Sequence, residues 1–141
     1  MSVKTPISWV GGKKYLSKAI NNALPPSDCY IELMMGSGRV FFERTPSKCE
    51  VVNDLNTELI NFFQVMRDEK DLLLEFLQMY PFPSREWFNA FKHEVDITSR
   101  SPIYRAGRFY YLLKCGFGAD MDNPSFGTRS TISSPKPHFS K

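Results

Sequence analysis

Apolar positions along this chain change their period several times, and each change marks a different kind of element. From about Tyr15 to Leu24, Leu16, Ile20 and Leu24 recur every four residues, which predicts a short helix ended by Pro25-Pro26. Cys29 to Met35 is then a nearly continuous apolar run broken only by Glu32, the pattern of a central strand covered on both faces. Gly36-Ser37-Gly38 turns the chain into a short helix, Arg39 to Arg44, carrying Val40, Phe41 and Phe42. The valine-rich segment from Cys49 to Asn53 reads as a second strand. Strand, glycine turn, helix and strand make one crossover unit of a parallel sheet.

After Asn56, a suitable helix cap, the period becomes helical and stays so. Leu59, Ile60, Phe62, Phe63 and Met66 describe one helical face, and a second helix is predicted from Glu69 to Met79, before Pro81 and Pro83. Ser84 caps a helix starting near Arg85, with Trp87, Phe88 and Phe91 on its buried side. Pro102 suits the first turn of a last helix packed through Ile103, Phe109, Leu112 and Leu113. Beyond Cys115 the glycines and prolines predict loops, with room for a hairpin across Phe117 to Ile132. The fold class is therefore α/β: a partial core over residues 1–55, then a mostly helical region over 56–141. Two parallel strands make a poor sheet alone, because buried strands need neighbours.

Charge adds an asymmetry that the net value of +3 conceals. Residues 51–99 hold four Lys/Arg against nine Asp/Glu, whereas residues 100–141 hold seven against two, as expected if one surface meets a polyanion. An ordinary solvated distribution of charge is the competing explanation. The three cysteines, Cys29, Cys49 and Cys115, have neither a compact zinc spacing nor an even number, and fit a reducing compartment. With no apolar run long enough to span a bilayer and no secretory segment at the amino terminus, a soluble cytoplasmic protein is expected, without membrane partners.

The candidate chemistry sits at the strand ends. In an open parallel sheet, ligands bind in the crevice at the carboxyl ends of strands, where glycine permits close backbone approach. Gly36 and Gly38 fit that role, or serve only the turn. Asp54, at the end of the second strand, is placed to accept hydrogen bonds from both hydroxyls of a ribose, or else to start the next helix. Glu32 is costly to bury unpaired, so it should meet a ligand, a loop amide or Lys13. Gly11-Gly12 make a tight loop beside Trp9, which either stacks on a flat heterocycle or packs as core. Arg100, Arg105, Arg108 and Lys114, interleaved with tyrosines and followed by Arg129 and Lys136, suit phosphate contact or a solvated helix face. No phosphate-loop pattern occurs, and His93 and His138 lack a metal or nucleophile context.

These residues together resemble the DNA adenine-N6 methyltransferases of the Dam type, the D12 class. The matching pieces are Trp9-Val-Gly-Gly-Lys13, Tyr30-Ile-Glu-Leu-Met-Met-Gly-Ser-Gly38 with Phe41-Phe42, and Val52-Asn-Asp-Leu-Asn56 with Leu59 and Phe62-Phe63. Arg105-Ala-Gly-Arg-Phe-Tyr-Tyr-Leu112, Phe117-Gly-Ala and Phe126-Gly127 follow in the family's order. The resemblance implies a partial Rossmann-like methyltransferase core and a target-recognition-like helical region acting on double-stranded DNA. It also implies S-adenosylmethionine as cofactor, bound by Trp9, Gly11, Gly12, Lys13, Glu32, Met34, Gly36, Gly38 and Asp54. Asp54 would hold the ribose hydroxyls, and Arg105, Arg108, Lys114 and Arg129 would contact DNA.

This chain departs from the family's pattern in three places. Glu32-Leu33-Met34 stands where the family usually continues Glu-Pro-Phe, and Leu113 and Gly118 stand where it usually has asparagines. No Asp/Asn-Pro-Pro-Tyr/Phe sequence, which receives the flipped adenine in that family, occurs in the 141 residues. The expectation is therefore an amino-terminal portion without a catalytic residue, inactive alone and open to self-association or to a complementary catalytic fragment. The alternatives are a catalytically silent DNA-binding module and an assembly protein that pairs through an exposed sheet edge.

Overall fold

The computed structural model describes residues 5–127, so Arg129, Lys136, His138 and the far half of the suggested hairpin lie outside it. The chain divides between Thr57 and Glu58 into two compact units.

The first unit contains α1 (Ser17–Ala23), β1 (Cys29–Glu32), α2 (Arg39–Glu43) and β2 (Cys49–Val52). The two strands are parallel, with Cys29, Tyr30, Ile31 and Glu32 opposite Cys49, Glu50, Val51 and Val52. β1 is shorter than its apolar run suggests, because the backbone leaves the ladder at Leu33 to begin the glycine turn. It also alternates: Tyr30 and Glu32 are buried, while Ile31 is 60% exposed, as is Val51 at 46%. The expectation of a strand covered on both faces is thus corrected, since this unit covers only one. The core side holds Ile7, Tyr30, Met35 and Val40.

α1 is corrected in the same way. Leu16 and Leu24 are exposed, and the helix docks instead through buried Ser17 and through Asn21, whose side-chain amide donates to the Val40 carbonyl at 3.2 Å. Leu16 and Leu24 lie on the side of α1 that the unit leaves uncovered, so apolar spacing alone named the wrong face.

The second unit is helical: α3 (Thr57–Asp68), α4 (Lys70–Gln78), α5 (Arg85–Lys92), a single 3₁₀ turn (Ile97–Ser99) and α6 (Pro102–Cys115). The predicted Ser84 cap and the first-turn Pro102 fall where the sequence placed them, and Ser101 adds a cap that it did not name. Ser84 Oγ accepts from the Trp87 amide at 3.4 Å, and Ser101 Oγ accepts from the Tyr104 amide ahead of a helix with proline in its first turn. α4 and α5 both pack against α6. The core is aromatic and aliphatic, with Leu59, Phe62, Leu73, Phe76, Phe88, Phe91, Phe109 and Leu112 all buried. Tyr111 is fully buried at its centre, and its hydroxyl accepts from the Ser84 amide at 2.8 Å while donating to the Phe82 carbonyl at 3.0 Å. Val65, outside the predicted face of α3, is buried, whereas Ile60, Phe63 and Met66 are only partly so. After α6 the chain returns as a short antiparallel bridge, Gly116 to Phe126, the portion of the suggested hairpin that falls within the described residues.

Candidate functional site

In the first unit, three segments converge at the carboxyl ends of the strands: the Trp9–Lys13 loop, the Met35–Gly38 turn and Asn53-Asp54. Main-chain bonds extend the ladder into this region. The Asn53 amide donates to the Glu32 carbonyl at 2.8 Å, and the Met35 amide donates to the Asn53 carbonyl at 3.0 Å. The loop closes on itself through the Gly12 amide and the Trp9 carbonyl at 3.0 Å, with Gly11 at φ +71°. A left-handed residue there is cheap only for glycine.

The segments enclose an open pocket of about 240 Å³ lined by Trp9, Val10, Gly11, Gly12, Lys13, Met34, Met35, Gly36, Arg39 and Asp54. Seven of the sequence-derived candidates therefore share one cavity: Trp9, Gly11, Gly12, Lys13, Met34, Gly36 and Asp54. The pocket-lining side chains that sequence reasoning missed are Val10, Met35 and Arg39. Arg39 carried a usable signal, since it opens the helix immediately after the glycine turn.

Glu32 and Gly38 do not line the cavity. Glu32 lies beneath it, 8% exposed, with its Oε1 3.4 Å from Lys13 Nζ and its Oε2 accepting from the Tyr30 hydroxyl at 2.9 Å. The structure thus gives this carboxylate internal partners, one of the outcomes its burial required. Lys13 also donates to the Met34 carbonyl at 2.6 Å, which fixes the loop against the end of β1. Burial first, then the Glu32 hydrogen bond, pushes the Tyr30 hydroxyl up to about 12, so it remains a donor at neutral pH. Gly38 has a packing reason: at φ +71°, an added Cβ would stand 2.6 Å from the Phe42 ring and 2.8 Å from Met35 Cε.

Asp54 is held by main-chain amides on both of its oxygens. Its Oδ2 accepts from the Gly36 amide at 2.8 Å and its Oδ1 from the Asn56 amide at 3.1 Å. The second bond is the turn role expected of an aspartate before a helix, and the first ties the end of β2 to the glycine turn. Each oxygen retains accepting capacity, because an ionised carboxylate offers about four lone-pair sites. At Gly36, φ +54°, the Trp9 indole packs so closely that an added Cβ would meet its Cδ1 at 3.1 Å.

Several basic residues among those described in the second unit have internal partners. Arg105 makes a forked ion pair with Glu58, its Nε 3.1 Å from Oε1, with side chains only 21% and 22% exposed. Arg108 donates from Nε to the Phe91 carbonyl at 2.7 Å and lies 3.8 Å from Glu94. Burial lowers its guanidinium, and the Glu94 charge opposes that shift. Lys114 lies over the Tyr110 ring at 5.2 Å. Arg100 pairs with Glu94 at 2.7 Å yet remains 54% exposed. Leu113, one departure from the family pattern, is a buried packing residue of α6. Gly118, the other, takes φ +72° in open space. No cluster of metal-ligating side chains occurs among the described residues, and none of their helices is long and apolar enough to cross a membrane.

The sequence profile of the D12 class N6 adenine-specific DNA methyltransferases matches residues 9–121. The chain is 33% identical to the type II methyltransferase M1.LlaDCHI of Lactococcus lactis subsp. cremoris over 114 residues, covering 77% of this chain and 40% of that protein. It is 32% identical to the DNA adenine methylase of Serratia marcescens, covering 75% of this chain and 40% of the relative. For the DNA adenine methylase of Escherichia coli K12 the identity is 28%, with 79% and 40% covered. The chain spans about two fifths of the length of these relatives. The matched segment begins at Trp9, on the pocket loop, and contains every pocket-lining residue, so the cavity is built from the family's shared sequence. The chain belongs to the D12 class of N6 adenine-specific DNA methyltransferases.

Proposed function

We propose that the first unit is the S-adenosylmethionine-binding part of a Rossmann-like methyltransferase core, and that the helical unit belongs to the region that reads DNA around the target adenine. The observation that carries this reading is Asp54, held by two main-chain amides at the mouth of a glycine- and tryptophan-lined pocket. An aspartate fixed at that point is pre-oriented to accept from a ribose diol without losing side-chain freedom on binding. Trp9 offers a flat wall, and Gly36 leaves the room in which its indole is seated. The pocket volume of about 240 Å³ is below the ~300 Å³ at which whole small-molecule sites begin, which suits one portion of an extended nucleoside ligand.

When bound, S-adenosylmethionine supplies an electrophilic methyl group on a sulfonium. The residues of this chain would bind and orient it: Asp54 the ribose, Trp9 and Met34 the apolar surfaces, Lys13 the loop conformation through Met34 and Glu32. Glu32 is a positioning residue that acts through Lys13. Nothing in the sequence supplies the Asp/Asn-Pro-Pro-Tyr/Phe segment that accepts hydrogen bonds from the adenine amino group. The 141-residue polypeptide is therefore expected to bind the cofactor without transferring its methyl group. In the helical unit, Arg105 and Arg108 act first as internal braces, and phosphate contact is assigned to Arg100, Lys114 and Arg129.

Cofactor titration tests the reading, followed by Trp9 fluorescence in a Trp87→Phe background. Asp54→Asn keeps the shape and one acceptor but removes the charge. It should weaken binding on the order of 10- to 100-fold, as expected for hydrogen bonds to a charged group. Unchanged affinity in this variant would remove the ribose assignment. Labelled methyl appearing in adenine of DNA treated with the purified polypeptide would refute the separation of binding from transfer.

A further inference from the structure

Cys29 and Cys49 are 20 positions apart in sequence, but the parallel ladder places them opposite one another as its first register pair. The Cys49 amide donates to the Asp28 carbonyl at 2.9 Å, which pins that register at its amino end. Both thiols are exposed. They share the uncovered face of the sheet with Ile31 and Val51, because side chains two apart on a strand point the same way. Neighbouring strands run about 4.8 Å apart, inside the ~4.4–6.8 Å that a disulfide spans between Cα atoms. The neighbouring Cys49 thiol pushes the Cys29 thiol up, as expected for side chains paired across the ladder. Cys115 is instead buried in the helical unit, with its thiol pushed up to about 11 by burial.

We propose that Cys29 and Cys49 form a redox-closable dithiol, a site for thiol–disulfide exchange with small disulfides, at the end of the sheet opposite the pocket. One thiolate attacks a sulfur of oxidised glutathione, forming a mixed disulfide and releasing one glutathione thiolate, which takes up a proton. The second cysteine, as its thiolate, then attacks the protein sulfur of that mixed disulfide and expels the other glutathione. The two protein thiols are oxidised to one disulfide, and the small disulfide is reduced to two thiols. The product staples β1 to β2 in their native register, with Asp54 and the pocket loop at the far ends of the strands.

The test is exposure of the full chain to oxidised glutathione at mildly alkaline pH, then alkylation of free thiols and mass analysis. The expected product has lost two hydrogens, carries no glutathione, and yields a cross-link between tryptic peptides 19–39 and 49–67, with Cys115 free. Cys29→Ser and Cys49→Ser each remove the resolving thiol, so both should retain a glutathione adduct that the parent loses. Adducts persisting equally in the parent, disulfide-linked dimers as the main product, or a cross-link to Cys115 would each overturn the proposal.

Discussion

Gly107→Ala should destabilise the helical unit, although alanine is the better helix former. Gly107 sits inside α6, where an added Cβ would stand 2.1 Å from Phe76 Cδ1 and 2.3 Å from its Cε1. Restoring an ordinary carbon contact of ~3.5 Å from 2.1 Å requires the ring or the helix to move by about 1.4 Å. The ring has little room, since it is 7% exposed and packed against Tyr80 and Tyr104 with centroids at 5.2 and 5.4 Å. Overpacking of a dense core costs ~1–3 kcal/mol, and a displacement of this size belongs at the upper end. Replacing a helical glycine by alanine returns ~1 kcal/mol. The net loss is therefore about 2 kcal/mol, or roughly 8–16 °C in the melting of a unit of this size. Near-ultraviolet circular dichroism of the aromatic core during thermal unfolding measures it. Adding Phe76→Leu should recover part of the loss, giving a coupling of ~1 kcal/mol or more in a double-mutant cycle. A variant as stable as the parent, or additive with Phe76→Leu, would refute the packing argument.

Two further outcomes follow from the helical unit. Burial first, and for Tyr104 the Glu94 hydrogen bond, push the Tyr104 and Tyr111 hydroxyls up to about 12 from an ordinary 10.0. Between those values the unfolded chain loses protons that the folded unit retains, so their stabilising contribution is complete below about pH 10 and lost as pH rises toward 12. Denaturation midpoints at about pH 9 and pH 11 should show that fall, and Tyr104→Phe should flatten it; a flat parent profile contradicts the assignment. The Arg105–Glu58 pair, about one fifth exposed, should show a coupling of ~0.5–1 kcal/mol in a stability cycle with alanine at each position. Zero coupling would return Arg105 to the set of phosphate contacts.

The helical unit was legible because its signals are local. Ser84, Pro102 and the apolar spacing of α5 and α6 act within a turn or two of themselves, and the structure follows them closely. The first unit was read less well. Leu16 and Leu24 have the spacing of a buried face, and the Cys29–Met35 run has the composition of a fully covered strand, yet both lie largely open. Burial depends on what else is present to pack, which no window of sequence contains.

The pocket divides along the same line. Residue type and strand position identified Asp54, Gly36, Trp9 and Lys13, because only certain residues tolerate a left-handed turn or offer a carboxylate at a strand end. Their distinct tasks came from the folded chain. Gly38 has a packing requirement of its own, because Phe42 and Met35 fill the space beside it. Glu32 is satisfied by Tyr30 and Lys13, and Arg105 by Glu58, through partners 2, 19 and 47 positions away. The meeting of Cys29 and Cys49 likewise needed strand register. Sequence by itself determined the family, the order of elements and which residues can do chemistry. Tertiary structure decided which of those side chains are already spent on one another, since pairing is set by distance in space.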